Sequence, residues 1–171
     1  AEQYRKIRNT FRFLLANVDD LEAYVEENAY GELDRWILAK AREVFESVKS
    51  SFDAYDFLRG FATLNHFITN ELSGIYMDIT KDRLYCEAKD SLVRRATQSA
   101  MAHISKAMLG LVAPVLTYTA DEILEYAPAL FKGEMQSVFD LVYVEVPQVA
   151  ASFDDAMLSV AREKFSEAVD K

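Results

Sequence analysis

Cysteine is nearly absent from this chain of 171 residues, and that scarcity excludes several kinds of protein. Cys86 alone cannot close an intrachain disulfide or supply the ligand set of a structural zinc site, and it points to a reducing, cytoplasmic setting. Histidine is limited to His66 and His103, and neither has Glu three residues before it, so the paired Glu-x-x-His motifs of di-metal helical bundles are excluded. Five Gly and three Pro are too scattered to form a Gly-rich phosphate loop, and Gly-x-Ser-x-Gly, His-Glu-x-x-His and Cys-x-x-Cys are absent as well. No catalytic residue and no metal ligand can therefore be nominated, and no cofactor is expected on this chain. Long apolar runs are missing too: nothing approaches the roughly 20 residues of a membrane span, and the opening Ala1 to Lys6 lacks the apolar core of a signal peptide. No membrane partner is expected.

Positive charge is also short, with 19 Lys and Arg against 28 Asp and Glu and a formal net charge of −9. Taken as a whole this opposes a polyanionic partner, because nonspecific nucleic-acid affinity comes largely from Lys and Arg neutralising phosphates. The objection has to be answered locally.

What the chain does have is helical periodicity. About half of its residues are apolar, enough for one sizeable core, and a single all-α domain over residues 1–171 is expected. Ile7, Phe11, Leu14 and Leu15 make one stripe of a first helix at 3–16. An acidic connector at 17–31 reads as a solvated loop with room for a short helical turn. Further stripes predict long helices at about 32–52, 55–80 and 90–113, the second tolerating Gly74 and the third ended or kinked by Pro114. Asp53 to Asp56 supplies caps between the first two of these. Thr119 and Glu122 have capping-box spacing for a short helix at about 119–127, Ser137 to Val146 reads as extended, and a C-terminal helix is predicted at about 154–169. Trp36 and Tyr76 lie in apolar stripes and read as core; His66 and His103 read as ordinary packing or hydrogen-bonding residues, and Cys86 as an inert small hydrophobe. Long helices with short connections favour a bundle.

The charge is segregated. Residues 1–16 carry Arg5, Lys6, Arg8 and Arg12 against Glu2 alone. Arg5, Arg8 and Arg12 are spaced i, i+3 and i+7, which places three guanidinium groups along one helical ridge able to follow a phosphate backbone, with Asn9 and Thr10 beside it. Lys81 with Arg83, and Arg94-Arg95 near Lys89, form smaller basic groups partly offset by Asp82, Glu87 and Asp90. On charge alone, each group reads first as a solvated, salt-bridged face and only second as a nucleic-acid contact.

The first helix also carries a motif. Tyr-Arg-Lys-Ile-Arg-Asn-Thr-Phe-Arg-Phe-Leu-Leu-Ala-Asn, from Tyr4 to Asn17, resembles the segment that opens the anticodon-binding domain of isoleucyl-tRNA synthetases. The likeness continues in Glu32 to Trp36, in Leu72 to Cys86, at Arg94-Arg95 and in Leu111 to Ile123, with departures at Ala16, Tyr118 and Leu124. It covers roughly residues 4–147. The resemblance implies the helical bundle of the class I synthetase anticodon-binding type. It also implies a full-length enzyme that attaches isoleucine to its tRNA using ATP and Mg²⁺ in a catalytic domain outside this chain, with a place for zinc in a C-terminal module. Neither His-x-Gly-His nor Lys-Met-Ser-Lys-Ser occurs here, so the chain by itself is expected to be inactive. Because Ala1 runs almost at once into a helical pattern, the chain reads as a piece of a longer polypeptide. Its implied partners are the anticodon stem-loop of an isoleucine tRNA and the catalytic body of the same polypeptide. Arg5, Arg8 and Arg12 are nominated as backbone contacts, followed by Asn9, Lys81 and Arg83. The alternative is a helical-bundle protein-interaction module without tRNA affinity.

Overall fold

The computed structural model of the chain describes residues 2–132, 137 and 143–151. Helices are α1 (Glu2–Asn17), α2 (Glu32–Asp53), α3 (Phe57–Phe67), a π-helical segment (Ile68–Met77), α4 (Asp78–Cys86), α5 (Leu92–Val112), α6 (Thr117–Glu125) and the short α7 (Ala129–Lys132), with a 3₁₀ turn at Glu27–Ala29. No strand occurs among the described residues. The C-terminal helix expected at 154–169 lies outside them.

Helix α5 is the axis of the bundle. From Ala96 to Val112 it is buried almost all round, only His103 and Lys106 being partly open. A helix enclosed on every side needs small residues where neighbours come close and partners for its polar ones. Ala96, Ala100, Ala102, Ala107 and Gly110 meet the first need. For the second, the Gln98 Nε2 donates to Asn17 O at 2.9 Å and to Asp20 Oδ1 at 2.6 Å, and Ser99 Oγ accepts from Val25 N at 3.0 Å. Around this axis pack α1, α2, α4, α6 and the 3₁₀ turn. Helix α1 lays Ile7, Phe11, Leu14 and Leu15 into the core and leaves its basic side outward. Each such apolar side chain contributes about 1.5–3 kcal/mol of burial.

The acidic connector is not the solvated loop that its charge suggests. Val18, Leu21 and Tyr30 are buried, Tyr24 stacks on His103 with ring centroids 4.0 Å apart, and Asp20 is held by α5. Its apolar residues recur closely enough to dock it along α5, while Asp19, Glu22, Glu26 and Glu27 face outward.

The helix expected at 55–80 runs on to Cys86, so Lys81 and Arg83 stand on α4 and not in a loop. The run widens into π geometry over Ile68–Met77. There Gly74 is a requirement and not a tolerated weak point: a Cβ would sit 2.6 Å from the Thr69 carbonyl oxygen, too close for any side chain. Gly60 leaves room for the Phe52 ring where α3 packs on the end of α2, and a Cβ there would require that ring to move. Asp56 caps α3 by accepting from Arg59 N at 3.2 Å, and Tyr55 before it turns the chain with φ 59°. Cys86 is exposed, which corrects its reading as a packed small hydrophobe.

Helix α6 begins at Thr117, two residues earlier than its expected cap, and Leu116 precedes it with no side-chain cap. The capping box does not form, because both its members have tertiary partners on α1: Thr119 Oγ1 pairs with the Tyr4 hydroxyl at 2.7 Å and Glu122 pairs with Arg8. Residues 143–151 lack regular structure and lie along α2, where Arg42 donates to Val146 O at 2.7 Å and to Glu145 at 2.9 Å.

Candidate nucleic-acid interface

Helix geometry decides how the basic residues of α1 are presented. Arg5 and Arg12, seven positions apart, fall within about 20° of each other around the helix and about 10 Å apart along it. Both are exposed, and neither forms an ion pair with a described residue. Asn9 lies between them and is also exposed. Arg8 is rotated to the other side of the ridge, where it meets the Glu122 carboxylate of α6. That pair is about a third exposed on each partner (32% and 39%), so it contributes no more than about 1 kcal/mol to the fold and is open to exchange. The expected three-arginine ridge is thus two free guanidinium groups and one tethered one.

A groove opens on each side of α1. Toward α6 a groove of about 570 Å³ has Arg8, Arg12 and Asp19 on its rim with Glu122 and Tyr126, over a floor of Leu15 and Ile123. Toward the π-helical segment a shallower one of about 460 Å³ is bordered by Arg5, Lys6 and Asn9 on α1 and by Ser73 and Met77 opposite. Here the Lys6 ammonium reaches Thr69 Oγ1. Arg5 with Asn9, and Arg8 with Arg12, are therefore brought together on opposite flanks of one helix.

Lys81 and Arg83 border neither groove. Lys81 Nζ lies 3.2 Å from Asp78 Oδ1, an exposed pair within α4. Arg83 lies 3.8 Å from Asp34, a carboxylate that is only 1% exposed and sits at the centre of a buried polar network. Asp34 accepts from the Tyr76 hydroxyl at 2.7 Å and from Gly31 N at 3.1 Å. Burial pushes the Asp34 carboxyl up, against the lowering effect of the Tyr76 hydrogen bond and the Arg83 charge. Burial likewise drives the Tyr76 phenol well above its usual range. Arg94 and Arg95 are similarly occupied: Arg94 reaches Asp20 at 2.9 Å and 3.4 Å, and Arg95 donates to Asp20 O at 2.8 Å. The Arg94 hydrogen bond is the largest of the influences that bring the Asp20 carboxyl down to about 2.

Sequence reading did not single out Tyr126, Asp19 or Glu122 as neighbours of the ridge. Glu122 and Tyr126 follow Tyr118 at i+4 and i+8, a common face of α6 that becomes visible only once that helix is known to begin at Thr117. Among the described residues no group of three or more His, Cys, Asp or Glu could hold a metal ion, and no helix is long and apolar enough to cross a membrane.

This architecture defines an all-α module whose distinctive surface is a helix carrying free arginines. A family model described as the anticodon-binding domain of tRNA ligase matches residues 34–170, and the chain belongs to that family. Along almost its whole length it is similar to isoleucine–tRNA ligases. The protein of a Sulfurovum species is 81% identical over 170 residues, 99% of this chain and 18% of that protein. The protein of a Nitratiruptor species is 56% identical over 171 residues, 100% of this chain and 18% of that protein. The protein of Campylobacter concisus is 54% identical over 170 residues, 99% and 18% respectively. The chain thus spans about a fifth of the length of these relatives, and α1, which precedes the family match, lies within the likeness to them. A protein-interaction module without tRNA affinity is not favoured.

Proposed function

We propose that this chain is the anticodon-binding part of an isoleucine–tRNA ligase, and that it holds the anticodon stem-loop of an isoleucine tRNA so that the acceptor end reaches a catalytic body elsewhere in the same cytoplasmic polypeptide. The likeness at 81% identity over 99% of the chain carries this reading. The whole ligase joins isoleucine to tRNA with ATP and Mg²⁺ in that body, and this chain alone does not aminoacylate. Arg5 and Arg12 are the first phosphate contacts, since nothing described in the fold competes for them. Asn9 and Arg8 follow, the latter after giving up or sharing Glu122. Lys81 and Arg83 act at the periphery. The overall charge of −9 does not oppose this, because a Debye length of about 8 Å confines each charge to its own face of the bundle.

The test is equilibrium binding of the polypeptide to an isoleucine tRNA and to an unrelated tRNA across a salt series. Tighter binding of the isoleucine tRNA, weakening with salt, is expected. Absence of binding at low salt would overturn the reading.

A further inference from the structure

The two grooves beside α1 differ in a way that bears on what each can hold. The one toward the π-helical segment is rimmed by Arg5 and Lys6 with Glu2 as the one acid, a setting suited to a phosphate. The one toward α6 sets Arg8 and Arg12 against Asp19 and Glu122, so its charges balance. Two carboxylates on its lining offset the two arginines, so its interior draws a phosphate less than the other groove does. It suits instead a planar, neutral group with donors and acceptors on its edge.

Three further observations point the same way. The floor is apolar, with Leu15 and Ile123 only 5% and 4% exposed. Its volume of about 570 Å³ falls within the roughly 300–1,000 Å³ of sites that enclose small molecules. Tyr126 also lines it, 69% exposed, with no side-chain hydrogen bond and no ring stacked on it among the described residues. An aromatic ring left open to water beside arginines is the surface on which nucleobases stack, since every base has a π face. Arg12 lies at the ridge side of the same groove, placed to meet the adjoining phosphate. Asp19 and Glu122 can accept from an exocyclic amino group, a contact open to adenine, cytosine and guanine and denied to uracil.

We propose that the α1–α6 groove is a nucleotide subsite, which takes one unstacked base of the RNA loop against the Tyr126 ring with its amino edge toward Asp19 and Glu122 and its phosphate on Arg12. This rests on the tRNA-binding reading above and adds to it a base-contacting residue and a base class. Glu122 has two tasks there, orienting the Arg8 guanidinium and offering its free oxygen to the base.

The test uses the intact polypeptide that carries this chain, with isoleucine tRNAs bearing single abasic substitutions through the anticodon loop. Tyr126→Ala is expected to weaken binding of the parent tRNA by about fivefold to 150-fold, the range for loss of one stacked base. Because no phosphate contact is lost, the salt slope should not change. Tyr126→Phe keeps the ring and should bind like the parent, which separates stacking from any structural use of the side chain. One abasic position should cost as much as Tyr126→Ala, and combining the two should cost no more than either alone. If Tyr126→Ala binds as the parent does, or if its loss adds to that of every abasic position, the groove holds no base and the proposal is overturned while tRNA binding stands. A parent that binds no tRNA removes the proposed function itself, and this proposal with it.

Discussion

On α1, Arg5 and Arg12 hold their guanidinium groups clear of every described carboxylate, whereas at the α4–α5 end Arg83, Arg94 and Arg95 are each drawn toward an aspartate. In the sequence the two regions look alike, short basic clusters next to apolar stripes. The difference lies in what faces them. Asp34 is buried and Asp20 is fixed by Gln98, so each needs a cation whether or not RNA is present. Among the described residues no carboxylate forms an ion pair with Arg5 or Arg12, although Asp19 and Glu122 share a groove with Arg12, and the charge is left for a partner. A basic cluster is therefore a candidate interface only to the extent that the fold leaves it unpaired.

The sharpest way to break this comparison is to remove an anchored arginine. Arg94 has only 13% of its side chain exposed; it ties Asp20 to α5 and donates through Nε to Leu84 O at 3.3 Å, closing the last turn of α4. Arg94→Ala should cost about 1–2 kcal/mol, because Asp20 is 38% exposed and water screens the pair, read as a lower urea midpoint of the 171-residue chain. The tRNA affinity of the protein that remains folded should stay within about twofold of the parent, because the residue acts through the fold. A large loss of affinity with an unchanged midpoint would place Arg94 among the RNA contacts and dissolve the distinction.

Acid probes the same anchored end. Burial, with the Lys106 charge adding to it, lowers His103 from 6.5 to about 4 where it stacks on Tyr24. The unfolded chain binds that proton more readily than the folded one, so the stability is complete above pH 6.5 and declines as pH falls toward 4, by at most about 3 kcal/mol. Asp20 acts in a lower window: its folded value near 2 against 3.8 means a contribution present above 3.8 and lost as pH falls toward 2. His103→Phe keeps a ring against Tyr24 and should flatten the upper window while leaving the lower one. Urea midpoints measured from about pH 7 down to about pH 2 check both.

Much of this was legible before any coordinates. Apolar periodicity located α1, α2 and α5, and it put Trp36 and Tyr76 inside, where they are 4% and 0% exposed. Periodicity failed where a local pattern had a tertiary competitor. Thr119 and Glu122 have the spacing of a capping box, yet α1 offers them Tyr4 and Arg8, and the helix starts at Thr117. The connector reads as solvated because it carries five acids and no Lys or Arg, but Val18 and Leu21 are enough to dock it. The Arg5, Arg8 and Arg12 ridge was visible from spacing alone. Which of the three is free was not, because Glu122 lies more than a hundred residues away. Lys81 and Arg83 rank below the ridge on nearby acids alone, and the sequence hides that Asp34 is the acceptor Arg83 approaches.

On the free side of the comparison, Arg5→Ala and Arg12→Ala should leave the urea midpoint in place and weaken tRNA binding about threefold to tenfold each, reducing the slope of log affinity against log salt by about one. Arg8→Ala should weaken binding less than either, because the unbound protein already holds that guanidinium on Glu122 and loses the pair when it turns to a phosphate. Equal losses at Arg5, Arg8 and Arg12 would mean that Glu122 does not restrain Arg8.

The smallest effect belongs to Lys81, which sharpens the comparison from its margin. It is exposed, yet paired with Asp78 at 3.2 Å one turn away, and it borders neither groove beside α1. An exposed i, i+3 pair stabilises a helix by only about 0.2–0.5 kcal/mol, so Lys81→Ala should barely move the urea midpoint. As a peripheral contact it should lower tRNA affinity by less than about threefold, with the loss disappearing at high salt, as expected of a charge felt across water. Asp78→Asn separates the two uses of the ammonium. If Lys81 faces RNA, freeing it from Asp78 should tighten binding at low salt; if it serves only α4, the substitution should leave affinity unchanged and Lys81 belongs with the anchored residues.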